Sequence, residues 1–138
     1  MGQQQLLLII LGVIVVGIAV VVGITMFQDN AISANRDAVT NDLVNLGARA
    51  QQYYRRPTSL GGGSNSFQGI GTDMTKLVNG ATVTAASWIN PNGTYTISSA
   101  GSQTSIQLDG KGTEKIAGTP VEVTCTVYPD SLTTTVVK

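Results

Sequence analysis

Histidine is absent from all 138 residues. Its absence excludes Ser-His-Asp and Cys-His catalysis, His-ligated metals and imidazole proton shuttles. A single cysteine, Cys125, excludes an internal disulfide, a thiolate cluster and CxxCH haem attachment. Cys125 alternates with Val121, Val123 and Val127, which places it in a sheet core as a small hydrophobe. Charge is equally scarce at the start of the chain, where no acidic or basic side chain precedes Asp29. Eight basic and eight acidic residues balance overall, so no basic stripe exists for non-specific nucleic-acid binding. Asp109, Glu114 and Asp130 lie near sheet turns, but their spacing matches no calcium loop. No acid–base or nucleophile constellation emerges. The expectation is therefore no enzyme, no catalytic residue, no cofactor and no metal.

What is present is a block of unusual greasiness. Leu6 to Phe27, LLLIILGVIVVGIAVVVGITMF, is almost wholly apolar. As a helix it exceeds the roughly 20 residues needed to cross a bilayer. A secretory signal would carry a basic region ahead of a shorter apolar stretch. No Lys or Arg occurs before Arg36, so the chain is expected to be already processed, with its apolar helix kept for use. Gly12, Gly17 and Gly23 each cost about 1 kcal/mol relative to alanine in a helix interior. With Ala19, which pairs with Gly23 at small-xxx-small spacing, they are read as sites of close helix packing or local loosening. Gln3, Gln4 and Gln5 put three amides at the buried end of this helix, where each needs a partner. They are expected to bond to neighbouring N-termini, with Met1 part of that contact.

From Asp29 to Arg56 the chain becomes polar but stays periodic. Ile32, Val39, Leu43, Leu46, Ala50 and Tyr53 step by seven, four, three, four and three, which lines one helix face. Arg55 and Arg56 complement the C-terminal end of the helix dipole, and Pro57 stops it. One continuous helix of about 80 Å is expected from Gly2 to Arg56. Residues 57–80 read as an irregular loop, with TDMTKLVNG as one or two helical turns capped by Thr72. Over 81–138 the period becomes two. Strands are expected at Thr82–Ala86, Thr94–Ser98, Thr104–Leu108, Val121–Tyr128 and Leu132–Val137, with turns at Asn90-Pro91-Asn92-Gly93 and Asp109-Gly110-Lys111-Gly112. Asn92-Gly93-Thr94 is also a glycosylation sequon, but the turn explains it. The fold class is α+β: a long helix, apolar then amphipathic, packed on an antiparallel meander of about four strands. Residues 1–28 form the apolar, membrane-stored segment and 29–138 the extracytoplasmic head. Tyr53 and Tyr54 are expected to pack under the sheet.

This arrangement, with MGQQQLLLIILGVIVVGIAVVVGITMF at its head, resembles the type IV pilin superfamily. Gln5 stands where that family usually carries glutamate, and no proline interrupts the apolar region. The resemblance implies a methylated N-terminus, storage in the cytoplasmic membrane and processing by a prepilin peptidase. An assembly platform and ATPase would then build a homopolymer on the cell surface, with helices inside and heads outside. The function so implied is structural: the subunit of an extracellular filament. The alternatives are a pseudopilin of a type II-like secretion system, or a non-polymerising single-pass membrane protein with a ligand-binding β head.

Overall fold

The computed structural model describes residues 2–138 and contains one helix of exceptional length, α1, from Gly2 to Arg55. Nothing in this span breaks it, because the first proline is Pro57. The loop after α1 pairs carbonyls at the helix C-terminus. Gly63 N donates to Tyr53 O at 2.8 Å, Asn65 N to Tyr54 O at 2.7 Å and Ser64 N to Arg56 O at 3.0 Å. The following loop thus folds back and caps the helix, in place of a conventional cap.

Five antiparallel strands follow in simple meander order: β1 Trp88–Asn90, β2 Gly93–Ser99, β3 Ile106–Ile116, β4 Thr119–Val127 and β5 Leu132–Val136. One face is buried and one is wet. Tyr95, Ile97, Ile106, Leu108, Val121, Val123, Cys125 and Val127 form the inner face. Across them lies the buried stripe of α1: Val39, Leu43, Leu46, Gly47, Ala50 and Tyr53. Ile32 packs at the margin of this core, partly exposed.

The sheet departs from the sequence reading at three points. It has five strands, not about four, and β1 begins at Trp88; Val83 contributes only an isolated bridge to Trp88. The Asp109–Gly112 segment is not a turn. Strand β3 passes straight through it, pairing Tyr95 with Gly110 and Gly93 with Gly112. These glycines serve close approach: a β-carbon at Gly110 would stand 2.7 Å from Val39 Cγ1, and one at Gly112 would meet Asn35 Oδ1. The reversal comes later, at Ala117 (φ 49°) and Gly118 (φ 84°), where two positive φ values suit a tight hairpin.

The long connection is also more than a loop. It runs to Ser87, and Phe67, Ile70, Met74, Leu77 and Val78 within it are buried in the core. Asp73, rather than Thr72, caps the short 3-10 turn Met74–Lys76, accepting from Thr75 N. Tyr53 is buried, and Tyr54, partly buried, packs against the core by stacking at 4.8 Å on Phe67.

Two outcomes are expected. Gly110→Val overfills the helix–sheet contact and lowers stability by about 1–3 kcal/mol, measurable as a reduced denaturation midpoint of the full chain in detergent. Cys125 is fully buried, and burial pushes its thiol up to about 11. It should resist alkylation at neutral pH until the head unfolds.

Candidate assembly surface

The first half of α1 lies outside the core. Every large apolar residue from Leu6 to Phe27 is exposed, from 49% at Val22 to 81% at Phe27. By length and composition this helix can cross a membrane. Its one hydroxyl folds inward: Thr25 Oγ1 donates to Val22 O at 2.8 Å, leaving the outer surface apolar. Gln3, Gln4 and Gln5 are exposed on the opening turns; Met1 lies outside the described residues.

Gly12, Gly17 and Gly23 face open space, and a β-carbon added at any of them would meet nothing within 4 Å. Nothing inside this chain therefore accounts for their cost in helix stability. Gly12, Ala19 and Gly23 are spaced by seven and four, within about 40° of one another around the axis. They form a smooth strip along one side of the rod. Gly17 lies elsewhere on the circumference.

The other half of α1 is clamped to the head by polar contacts that flank the apolar stripe. Asp42 Oδ2 accepts from Tyr95 Oη at 2.6 Å, Asn90 Nδ2 at 2.8 Å and Asn92 Nδ2 at 2.9 Å. One carboxylate thereby gathers the β1–β2 hairpin onto the helix. Seven residues earlier, Asn35 Nδ2 donates to Asn92 O at 2.9 Å, and Asn35 Oδ1 accepts from Glu114 N at 3.3 Å. At the far end Gln51 Nε2 donates to Tyr128 O at 3.0 Å and Ser131 O at 3.2 Å. The exposed Arg55–Asp130 pair, at 4.0 Å, adds little.

These contacts fix the direction of the rod relative to the head. They also engage the sequon asparagine, since the Asn92 amide is committed to Asp42. Where the head ends, Glu114 overhangs a shallow groove on the rod floored by Gly23, Phe27 and Ala31. Among the described residues, no three His, Cys, Asp or Glu side chains converge as metal ligands.

The structure brings Val39, Leu43, Leu46, Ala50 and Tyr53 together in the core, with Ile32 at its edge. Gln3, Gln4, Gln5, Gly12, Gly17, Ala19 and Gly23 stay outside it. The Asp42 cluster was not anticipated. Its signal was available: an acid directly beside the apolar stripe, and a turn with two asparagines. Compared with family models, curated proteins and solved structures, the chain matches none.

Burial alone raises the Asp42 pKa, but its donors Tyr95, Asn92 and Asn90 outweigh this and hold it below the ordinary 3.8. The folded state therefore binds this proton less readily than the unfolded chain. The stabilisation is complete above the ordinary value and is lost as pH falls through the lowered one. Asp73, held down by Thr75, acts in the same direction. Asp42→Ala strands the buried Tyr95 hydroxyl, at a cost of about 1–3 kcal/mol. Denaturation curves at neutral and acid pH should show that loss, and a weaker acid dependence in the variant.

Proposed function

We propose that this chain is the structural subunit of a type IV pilus-like filament, stored in a membrane and polymerised through the apolar half of α1. A contrast within one helix carries this reading. The half after Asp29 finds a complete core in its own head, while the half before it is left bare on all sides. Burying one large aliphatic side chain contributes about 1.5–3 kcal/mol, so the bare rod in water would forfeit on the order of tens of kcal/mol. Lipid relieves this, and so does a bundle of like helices.

Transfer from lipid to bundle gains little hydrophobic energy, so close packing has to favour it. The Gly12–Ala19–Gly23 strip supports that choice, because it lets a second backbone approach closely and serves no contact within the chain. The Gln3–Gln5 amides supply hydrogen bonds that a purely lipid-bound terminus has no use for. The resemblance to type IV pilins adds the assembly machinery, the homopolymer and the cell-surface location.

Imaging of filaments from the native source tests the proposal. The wild-type chain should be their repeating unit, with the apolar helices at the centre. Replacing Gly12, Ala19 and Gly23 together with leucine should abolish filaments while the subunit still accumulates in the membrane. Gln3, Gln4 and Gln5 changed together to leucine should impair assembly as well. A native chain that stays monomeric in lipid overturns the reading.

A further inference from the structure

A second feature lies at the opposite end of the head and is independent of polymerisation. Between the last turns of α1 and the buried connection is a cleft of about 400 Å³, lined by Arg49, Gln52, Arg56, Lys76 and Asn79 with Tyr53 at its base. That volume is within the range of small-molecule sites. We propose that this cleft binds an oxyanion: a phosphate, sulfate or carboxylate group on a small polar molecule such as an acidic sugar.

Arg49, Gln52 and Arg56 are spaced by three and four, so they share one face of α1. Lys76 and Asn79 face them from the connection. The lining thus presents three cations and two amides, with no carboxylate. Among the described residues, the one ion pair is Arg55–Asp130, outside the cleft. Asp73, three residues before Lys76, lies outside the lining; it accepts from Thr75 N at 3.0 Å and the Thr75 hydroxyl at 2.6 Å, and its charge also acts on Lys76.

Two of the cations are tethered without being neutralised. Lys76 Nζ donates to Gly69 O at 2.6 Å, and Arg49 Nη1 to Leu77 O at 3.4 Å. Neutral carbonyls position the charges without cancelling them. The negative end of the helix dipole favours Arg56, but its influence fades within the last turn. It does not account for Arg49, two turns earlier, or for Lys76 on another segment. Arg49, Arg56 and Lys76 are all exposed, so each can turn its donors onto a ligand in the cleft, and guanidinium forks match oxyanion geometry.

The site is soluble-facing. From Phe27 to Arg49 the helix rises about 33 Å, which puts headgroups around the apolar block out of reach.

Titration of the full-length chain in maltoside micelles at constant ionic strength tests this, with inorganic phosphate and glucuronate as probes and glucose as the neutral control. Saturable amide NMR shifts centred on Leu77, Val78 and Asn79 are expected for the anions and none for glucose. Response to phosphate alone marks a free-anion site, and response to glucuronate a sugar-acid site; both support the proposal. Arg49→Gln with Lys76→Gln should weaken binding at least about ten-fold. Arg56→Gln, at an exposed position, gives a milder second variant. Lys111→Gln with Lys115→Gln, on β3, should leave binding unchanged. Absence of saturable shifts with either anion overturns the proposal, as does equal weakening by the β3 pair. Since the readout uses monomer in micelles, its failure is separate from any failure of filament assembly.

Discussion

A single uninterrupted helix has to satisfy two different surroundings, and the rest of the molecule follows from how it does so. The backbone of α1 meets its own hydrogen bonds along 54 residues, so the rod can pass from protein into lipid without exposing a polar main chain. Only its side chains change along the way. Before Asp29 they are apolar on every side and rely on something outside the chain. After Asp29 they narrow to one stripe, and the sheet covers it. The head is the partner that the second half requires, and among the described residues no such partner exists for the first half.

Glycine marks both solutions, for different reasons. In β3, Gly110 and Gly112 remove side chains where the helix crosses, so the sheet can close on Val39 and Asn35. Their use is visible in the contacts around them. In the apolar half, Gly12, Gly17 and Gly23 touch nothing. In the proposed filament, residues that weaken the helix and relieve no crowding within their own chain would be explained by a neighbouring helix. This is the physical link between the bare rod and the proposed filament.

The head holds the rod with polar contacts beside the apolar stripe. Asp42, satisfied by three donors, and Asn35 fasten the hairpin end, while Gln51 fastens the turn between β4 and β5. Burial gives the affinity of helix for sheet, and these bonds select one rotation and one height. Such a rigid junction suits the proposed filament, in which every head would present the same surface along the polymer. Beyond the clamp, Arg49, Arg56 and Lys76 line a cleft that itself holds no acid, giving the outer end of the head a chemistry of its own.

Periodicity determined much of this molecule directly. The length of α1, its change of character near Asp29, the stripe from Ile32 to Tyr53 and the inward Cys125 all follow from local spacing, because helix and strand geometry repeat over a few residues. Other features depended on segments distant in sequence meeting in space. Asp109–Gly112 has the composition of a turn, and only the helix lying across it makes the glycines part of a strand. Phe67, Ile70 and Met74 step by three and four like a helix face, yet their segment forms only turns and one short 3-10 piece, so their place in the core came from the space left between helix and sheet. Asp42 meets Tyr95, and Arg49 comes to share a cleft with Lys76, only after the chain has folded back on itself. Local pattern specifies which face of an element is greasy; what covers that face, and which polar groups meet at its edge, is decided by packing.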